Sequence, residues 1–413
     1  MKNYLLNYDL TFKRLINSVK KAADQRNVSA YLAGGIVRDI LLNRASEDLD
    51  IVLEDDVIEI GKSLAKEWNA VFTYYPEFKT ATLKTKNNFR VDLATARKET
   101  YASPGALPRI SAATLKDDLF RRDFSINAMA ICINQKEEGC LIDPFGGLLD
   151  LNNKKIKILH PKSFIDDPTR ILRAVRFEQR FGYRMERKTL ELLKKAVKGK
   201  RINNVSSDRL YAELKKMLKE KHIVECLKRL NQLQISKFFM GKGIFDIRYI
   251  NKIQKRKREY SSLKCVWFYN LLALVEGFDS KKLSKFVVNF SFSKREKKVF
   301  QECQDISKLL KKLGGLKVCR SDIYGYLEKL DEKLIVYLNL RSSVRSVCQR
   351  IDRYLKIDRF VYLKITGDDL KKIGFKSGAK MGQILSKVFE EKIEGKVSTK
   401  KDELVLAKSF MVK

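Results

Sequence analysis

The hydrophobic pattern of this 413-residue chain changes near residue 150. Before that point, short apolar segments with alternating polar residues predict strands among helices, at residues 29–33, 48–53, 70–74, 80–84, 89–94 and 126–133. After it, apolar residues recur at three- and four-residue spacing, which predicts helices over segments such as 188–197, 207–233 and 294–312. The chain has only six prolines, the last at Pro168, so little interrupts these helices. We therefore predict an α+β head, a mixed sheet with helices, followed by an all-α remainder.

Two aspartates, Asp48 and Asp50, are separated by one residue in the second predicted strand. Residues i and i+2 of a strand point to the same face, so both carboxylates are expected to project together while Leu49 and Ile51 face a core. Two carboxylates this close repel each other unless a cation lies between them, and oxygen ligands favour Mg²⁺. An ion held in this way serves phosphoryl or nucleotidyl transfer. The alternative is a solvated strand end with two incidental acids.

A pair of glycines, Gly34 and Gly35, precedes these aspartates, between an apolar strand segment and a predicted helix. A strand, two glycines and a helix start let backbone N–H groups approach a phosphate closely. Arg38 lies one turn into the helix, where it would add a charge-assisted contact. Two glycines alone more often make an ordinary turn, but together with an arginine and paired aspartates they predict a phosphate and metal site.

The sequences Gly-Gly-Ile-Val-Arg-Asp at residues 34–39 and Asp-Leu-Asp at 48–50 resemble the first motif of a known family. This family comprises the class II tRNA nucleotidyltransferases and bacterial poly(A) polymerases, within the polymerase-β-like nucleotidyltransferase superfamily. Further motifs of the family resemble residues 121–128, 143–151 and 166–177, and the tail segment of CCA-adding enzymes is similar to residues 365–378. The resemblance implies a catalytic head (1–150), a helical neck with a base-reading helix (151–215), a helical body (216–340) and a helical, tRNA-binding tail (341–413).

The second motif supplies Arg122 and Asp123 as expected nucleotide-binding residues. By resemblance, Arg122 contacts the bound nucleotide and Asp123 lies near the ribose. They join Gly35 and Arg38 of the first motif as expected nucleotide-binding residues. A guanidinium suits phosphate because its forked donors bond two oxygens at once. An aspartate can accept a hydrogen bond from a ribose hydroxyl. Taken alone, this segment could equally be a solvated charged turn.

The fourth motif carries the expected base-reading pair, Asp167 and Arg170. Asp167 is followed by a proline, which predicts the start of a helix. Adenine and cytosine both present an exocyclic amine beside a ring-nitrogen acceptor, so an accepting carboxylate and a donating guanidinium could read both. The resemblance implies this template role, with Arg173 and Arg176 at the phosphates or the stacking face. The alternative is a helix cap and a basic face. The family usually has glutamate where this chain has Asp166, whose effect on the helix is left open.

Asp92 is a polar residue in the alternating apolar and polar pattern of its predicted strand, and it could be a third carboxylate of the site. Farther along, the segment from Arg97 to Arg109 contains several turn-forming residues and predicts a long loop, with Tyr101 to Arg109 as its flexible part. By resemblance, such a loop supports the switch from CTP to ATP, and enzymes that add only CC tend to have lost it. Its presence favours an enzyme able to add the terminal A.

The charge balance predicts a polyanionic partner. The chain has 85 Lys and Arg against 50 Asp and Glu, a net charge of 85 − 50 = +35, which favours salt-dependent nucleic-acid binding. We find no apolar segment of about 18 residues or more that could span a bilayer, and the N-terminal residues lack the apolar core of a signal peptide. A cytoplasmic protein without a membrane partner is expected. The candidate RNA-backbone contacts are Lys255, Arg256, Lys257 and Arg258 in the body, which could equally form a solvated helix face, and Lys371, Lys372 and Lys376 in the tail.

The cysteines and histidines exclude other chemistries. The seven cysteines include no Cys-x-x-Cys pair, so they are predicted to be reduced thiols and not a zinc site. Only two histidines occur, which excludes a histidine-rich metal site.

Together the motifs favour a template-independent tRNA nucleotidyltransferase that adds or repairs the 3′-terminal CCA from CTP and ATP. Asp48 and Asp50 would be its catalytic residues and the ligands of Mg²⁺. One alternative is an enzyme that adds only A or only CC, which has a closely similar motif set. A poly(A) polymerase is disfavoured because residues 74–83 lack a Gly-Arg-Arg-Phe-like signature. A non-catalytic RNA-binding protein is disfavoured by the intact motif residues. The oligomeric state is left open.

Overall fold

The computed structural model describes residues 4, 10–44, 48–86, 89–240, 244–256, 265–290 and 292–411, without the side chains of residues 10, 11, 48, 240 and 289. The chain divides into two compact units, Met1–Ile244 and Phe245–Lys413. The finer division at residues 150, 215 and 340 stays a prediction.

The first unit contains all the strands of the described chain. They are β1 (Ala30–Ala33), β2 (Asp48–Leu53), β3 (Val71–Tyr75), β4 (Thr80–Lys84), β5 (Arg90–Thr95), β6 (Arg97–Thr100), β7 (Arg109–Ala112), β8 (Ala130–Cys132), β9 (Leu141–Ile142), β10 (Lys155–Ile156) and β11 (Arg184–Met185). Seven of them form a mixed sheet in the order β3-β4-β5-β2-β1-β8-β9. Within it β2 and β5 are parallel, while the other neighbours are antiparallel. Strands β6 and β7 form a separate hairpin, and β10 pairs with β11.

The helices of the first unit are α1 (Leu10–Asp24), α2 (Gly35–Leu41), α3 (Val57–Trp68), α4 (Leu115–Phe120), α5 (Gly147–Asn152), α6 (Ser163–Asp166), α7 (Thr169–Phe181), α8 (Arg187–Lys198), α9 (Ser207–Leu218), α10 (Ile223–Gln232) and α11 (Lys237–Met240). Leu49 and Ile51 of β2 are buried, as predicted from the alternation of the strand. Asp50, which lies between them, is therefore on the opposite face of β2. The mixed head and the helices that follow it confirm the predicted fold class.

The predicted strand at 126–133 was wrong over its first half. Ser125–Asn127 forms a 3₁₀ turn, and only Ala130–Cys132 is extended. Two buried side-chain hydrogen bonds favour the turn: Ser125 donates to Asp150, and Asn127 donates to Asp123. Polar side chains with such partners override the local strand preference of their apolar neighbours.

The segment before the second motif was also predicted incompletely, as a loop without strands. Residues 97–112 instead form the β6–β7 hairpin, in which Arg97 pairs with Ala112 and Thr100 with Arg109. Only residues 101–108 connect the two strands. Glu99 of β6 pairs with Arg97 of the same strand and with Arg121, which directly follows α4, and the second of these contacts is a long-range effect that local composition does not reveal.

The predicted helices are observed, but two of the predicted segments are each divided into two helices. Helix α7 covers the segment predicted to start after Asp167. The segment 207–233 is divided into α9 and α10 by residues 219–222, which contain no apolar side chain to continue the buried face. The segment 294–312 is likewise divided, by a short 3₁₀ turn at Cys303–Asp305.

The second unit is helical throughout its described residues. Its helices are α12 (Arg248–Arg256), α13 (Val266–Val275), α14 (Ser280–Asn289), α15 (Lys294–Glu302), α16 (Ile306–Leu313), α17 (Arg320–Leu327), α18 (Glu332–Arg341), α19 (Arg345–Lys356), α20 (Gly367–Lys372), α21 (Ala379–Ile393) and α22 (Lys400–Ser409). The last three helices enclose a small core around Leu370 and Val388. Within the described ranges of the chain, we find no helix with the length and apolarity to cross a membrane.

Candidate active site

One face of the central sheet carries two carboxylates on adjacent strands. Asp50 of β2 is in register with Asp92 of β5, which in turn lies opposite Thr82 of β4. Thr82 Oγ1 donates a 2.6 Å hydrogen bond to Asp92, and Arg90 Nε lies 2.9 Å from the same carboxylate. Both aspartates line a cleft of about 460 Å³. The remaining lining residues are Ala33, Ile51, Val52, Tyr75, Phe78, Thr80, Thr82, Arg90, Leu93, Ala94, Arg97, Arg121 and Arg122.

Asp48 is the first residue of β2, and its backbone pairs with Arg90. Its side chain lies outside the described part of the chain, so the predicted pairing of its carboxylate with that of Asp50 stays a prediction. Asp92, considered from the sequence as a possible third carboxylate, lies beside Asp50 because β2 and β5 are parallel neighbours.

The glycine turn brings Arg122 against the start of α2. Gly34 has a φ of +92°, which favours glycine, and a Cβ at this position would lie 2.1 Å from Nη1 of Arg122. A side chain there would therefore displace the guanidinium. Arg38 is buried, donating a 2.5 Å hydrogen bond to Asn127 and pairing with Asp39 at 2.9 Å. Burial lowers the pKa of Arg38, and Asp39 opposes this shift.

Two acids hold the arginines at the edge of the cleft. Asp118 of α4 pairs with Arg121 at 2.7 Å and with Arg122 at 2.9 Å. Glu99 of β6 pairs with Arg97 at 3.2 Å and with Arg121 at 3.1 Å. Complete burial favours a higher pKa for Asp118, but Arg122 and then Arg121 outweigh it and lower the pKa below its ordinary value. These contacts fix the direction in which the guanidinium groups point.

Asp123 forms a buried ion pair with the helix expected to read the base. Its carboxylate accepts hydrogen bonds from Arg173 at 2.5 Å and from Asn127 at 2.9 Å. Burial favours a raised pKa for Asp123, yet Arg173 and the hydrogen bond from Asn127 lower it to about 2. Arg173 also lies 3.4 Å from Glu213, which Arg176 approaches at 3.5 Å. In this structure these two arginines therefore join α7 to Asp123 and α9, and their predicted nucleotide contacts stay predictions.

Asp167 and Arg170 are both positioned by protein contacts. Asp167 Oδ1 accepts hydrogen bonds from Thr169 N at 3.0 Å and from Thr169 Oγ1 at 2.6 Å, so this aspartate caps α7. Arg170 is buried and donates to Ser163 Oγ at 2.7 Å and to the Arg121 carbonyl at 2.6 Å. The capping role considered from the sequence is thus observed. It is compatible with base reading, which needs the same side chains in fixed positions.

The connection between β6 and β7 is attached to the last residue of α6 and to α9. Gly105 N donates to the Asp166 carbonyl at 3.2 Å, and the Gly105 carbonyl accepts from Arg209 at 3.0 Å. Arg209, on α9, also donates to Asp167 Oδ1 at 2.9 Å. Tyr101 donates a 2.9 Å hydrogen bond to Glu99. The hairpin, α7 and α9 are therefore joined at the residue expected to select the base.

Sequence reasoning missed Glu99, Asp118, Arg209 and Glu213. For Asp118 a signal was available, because it lies three and four residues before Arg121 and Arg122, the spacing at which helical side chains meet. Arg209 and Glu213 share the same spacing on α9. No local sequence pattern predicts the contact between Glu99 and Arg121, because it depends on how the hairpin packs on α4.

Comparisons with known proteins identify the family to which the chain belongs. The Poly A polymerase head domain matches residues 30–157, the probable RNA- and SrmB-binding site of polymerase A matches residues 182–244, and the putative tRNA nucleotidyltransferase domain 2 matches residues 264–407. An A-adding tRNA nucleotidyltransferase of Halalkalibacterium halodurans is 33% identical over 98% of this chain and 95% of its own length. The chain belongs to the tRNA nucleotidyltransferase and poly(A) polymerase family. The resemblance proposed from the motifs is thereby confirmed.

Other members of the family differ in length. An A-adding tRNA nucleotidyltransferase of Geobacter sulfurreducens is 31% identical over 95% of this chain, but the chain spans only 46% of that relative. Among solved structures, a CCA-adding enzyme in its apo form II aligns with a TM-score of 0.82 and 31% identity, over 98% of this chain and 96% of that one. A Thermotoga maritima CCA-adding enzyme complexed with tRNA aligns with a TM-score of 0.77 and 30% identity, over 99% and 97% of the two chains.

The donor chemistry of the cleft fits a hard divalent cation. Asp50 and Asp92 present carboxylate oxygens on adjacent strands, the ligand type that Mg²⁺ prefers. Among the side chains that the structure describes, no group of three or more acidic, histidine or cysteine residues forms a metal site by itself. Asp48 stays a predicted ligand of this ion.

The predicted RNA-backbone contacts of the second unit have different surroundings. Lys371, Lys372 and Lys376 are exposed around the end of α20, with Lys371 paired to Asp368 at 2.8 Å. Lys255 is exposed on α12. Arg256 instead donates hydrogen bonds to Asn339, at 2.8 Å for its Oδ1, so it joins α12 to α18. Lys257 and Arg258 lie outside the described residues.

Proposed function

We propose that this protein is a tRNA nucleotidyltransferase that adds the terminal A to tRNA, with ATP as its substrate. The observation that supports this most directly is the arrangement of one unit, in which the carboxylates of Asp50 and Asp92 lie beside Arg122 while Arg170 bonds the backbone of Arg121. In this proposal the residues for phosphoryl chemistry and those for base selection would act side by side. The relatives from H. halodurans and G. sulfurreducens are both named A-adding enzymes. A tRNA substrate would place the protein in the cytoplasm.

In the proposed reaction, the 3′-hydroxyl of the RNA attacks the α-phosphorus of ATP. The new O–P bond forms as the bond to the bridging oxygen breaks, pyrophosphate leaves, and the hydroxyl proton passes to water. Asp50, with Asp48 and Asp92, would hold Mg²⁺, which supplies charge neutralisation and lowers the pKa of the attacking hydroxyl. Arg122, directed by Asp118 toward Gly34, would bond phosphate oxygens of the nucleotide. These fixed charges need no reorganisation during the reaction, which is the usual source of electrostatic catalysis.

Base selection would use the first turn of α7. Asp167 would accept a hydrogen bond from the exocyclic amine of adenine, and Arg170 would donate to the adjacent ring nitrogen. Arg170 would have to exchange one of its bonds, to Ser163 or to the Arg121 carbonyl, for the bond to the base. Arg209 donates to the same Oδ1 of Asp167 as Thr169 does, and this contact also holds the carboxylate in place.

The test uses three tRNA substrates, ending at the discriminator base, at C and at CC, each incubated with CTP, ATP or both. The proposal predicts that ATP is incorporated once onto the tRNA ending in CC, and that the other two tRNAs are not completed. Sequencing the product ends separates single addition from tailing. Repeated addition of A to any RNA would indicate a poly(A) polymerase, and no incorporation would contradict the proposal.

Addition of the whole CCA sequence is the second candidate. It is favoured by the solved CCA-adding enzyme with a TM-score of 0.82, which this chain matches along 96% of that enzyme's length. Completion of all three tRNAs in the same assay, when both nucleotides are present, would establish it.

A further inference from the structure

The cleft extends beyond the carboxylates to two aromatic side chains that the proposed chemistry leaves without a role. Tyr75, at the end of β3, and Phe78, in the turn that follows, both line the cleft. They are 44% and 47% exposed. We propose that Tyr75 and Phe78 form the platform on which the 3′-terminal base of the RNA primer stacks, an inference that rests on the proposed function.

The register of the sheet fixes the position of this platform. Across the cleft face, Asp50 of β2 neighbours Asp92 of β5, which neighbours Thr82 of β4. Tyr75 lies on β3, the next strand, opposite Thr80. Two strand spacings, about 10 Å, separate the strand of Asp92 from that of Tyr75, and Tyr75 also lies two residues, about 7 Å, along β3 from the position opposite Thr82, so that the two Cα atoms are about 12 Å apart. The sugar and base of one nucleotide can bridge this span.

The direction of the reaction selects the primer, and not the incoming nucleotide, as the occupant. In nucleotidyl transfer the attacking and leaving oxygens lie roughly in line through the phosphorus. The pyrophosphate side is assigned to Gly34 and Arg122, which adjoin β1, on one side of β2. The attacking 3′-hydroxyl must then approach from the opposite side of the Asp50 carboxylate. That side is occupied by β5, β4 and β3, and it ends at the aromatic pair.

The local backbone holds the pair in place. Phe78 lies in a 3₁₀ turn, Pro76–Phe78, and its carbonyl accepts a 2.5 Å hydrogen bond from Arg97. Thr95 N donates to the Lys79 carbonyl at 3.0 Å. These bonds attach the turn to the neighbouring strands, so the rings lie on a well-supported element. Rigid aromatic rings beside arginines are the usual way in which proteins bind single-stranded RNA ends, since every base has a face that can stack.

The direct test is a fluorescence measurement on the full-length protein. The probe is an acceptor-stem RNA whose 3′-terminal nucleotide carries 2-aminopurine, a base whose emission is quenched when it stacks on an aromatic ring. With EDTA present and ATP omitted, saturating wild-type protein is expected to quench the probe, whereas the Tyr75→Ala/Phe78→Ala variant quenches it much less. Equal quenching by the wild type and this variant, or no quenching by either, would overturn the inference.

Steady-state kinetics give the second readout. Loss of a base-stacking ring is expected to raise KM for an RNA ending in CC by roughly fivefold to a hundredfold, while KM for ATP changes less than about twofold. Tyr75→Phe and Phe78→Tyr keep a ring and are expected to behave as the wild type. An increase confined to KM for ATP would show that the pair holds the incoming base, and would contradict the inference.

The matched control is Val71→Ala. Val71 lies on the same face of β3, is 68% exposed and does not line the cleft, so this change is expected to leave both the quenching and KM for RNA unchanged.

The same measurements distinguish a failure of the platform from a failure of the proposed function. Incorporation by the wild type with no effect of the alanine changes would reject only the platform. Quenching that depends on the rings, without any incorporation, would reject only the proposed function.

Discussion

At the scale of single residues, buried acids decide where the arginines of this site point. Asp118 is fully buried between Arg121 and Arg122, and Asp123 is bonded to Arg173. Removing one member of such a buried pair costs about 3–5 kcal/mol, because the other charge is left without a partner. The acids are therefore as important to the geometry as the arginines that the motifs make visible.

Base choice should depend on Asp167 and Arg170. Arg170→Ala removes the donor to the ring nitrogen, and Asp167→Asn replaces the acceptor while keeping an oxygen that can cap α7. An unmatched buried polar group costs on the order of 1–3 kcal/mol, so preference for the correct nucleotide over UTP and GTP should fall roughly tenfold to a hundredfold. Incorporation of all four nucleotides measures this. Unchanged selectivity in both variants would leave the pair with a structural role only.

The Asp123–Arg173 pair should give stability a defined pH dependence. The pKa of Asp123 is about 2, below its ordinary value of 3.8, so the pair stabilises the fold fully above about pH 4 and progressively less as the pH falls toward 2. In Arg173→Gln the carboxylate keeps its burial without this partner, so its pKa should rise and protonation should favour the folded state. Urea unfolding should therefore show that the free energy of unfolding of the variant, which is lower than that of the wild type at pH 7, approaches the wild-type value as the pH falls to 4. A difference that grows over this range would contradict the prediction.

At the scale of secondary-structure elements, the β6–β7 hairpin joins the head to the helices that would select the base. Gly105 has a φ of +77°, and a Cβ there would lie 2.6 Å from the Asn204 carbonyl oxygen. Glycine at this position allows the connection to lie against the segment before α9. The attachment to Asp166 and Arg209 then transmits the position of the hairpin to Asp167.

Shortening residues 101–109 by several residues should therefore impair A addition. We expect ATP incorporation onto a tRNA ending in CC to fall at least about tenfold, the loss of roughly one positioned contact, with tRNA affinity retained. Incorporation of CTP onto a tRNA ending in C, if the wild type performs it, should be kept. Equal loss of both activities in a folded variant would exclude a role for the hairpin in specificity.

Local and long-range information explain which elements were predictable. Asp167 followed by proline is a local signal, and α7 begins where it indicates. The alternation of β2 likewise predicted the burial of Leu49 and Ile51. The proximity of Asp92 to Asp50 depends on the pairing of two strands some 40 residues apart in sequence, which no local pattern determines. The hairpin was missed for the same reason, since Glu99 pairs with Arg121, which is 22 residues farther along the chain and directly follows α4.

At the scale of the whole molecule, the net charge of +35 should dominate RNA affinity and its salt dependence. Lys371, Lys372 and Lys376 are exposed in the second unit. If all three contact phosphates, changing them to alanine should weaken tRNA binding and reduce the slope of log K against log salt by about 2–3. Lys62→Ala, on the exposed side of α3, is the control. An unchanged slope in the triple variant would exclude these lysines from the tRNA interface.

The central claim is that the carboxylates of β2 catalyse nucleotide addition, and the decisive measurement is ATP incorporation onto a tRNA ending in CC. The experiment compares the wild type with Asp48→Ala and Asp50→Ala in the presence of Mg²⁺, and the tRNA affinity of the same samples is to be measured as well. The account predicts that both variants bind tRNA nearly as well as the wild type and add no nucleotide, because the aspartates serve the metal while affinity comes from distributed positive charge. Near-normal incorporation by either variant would contradict it.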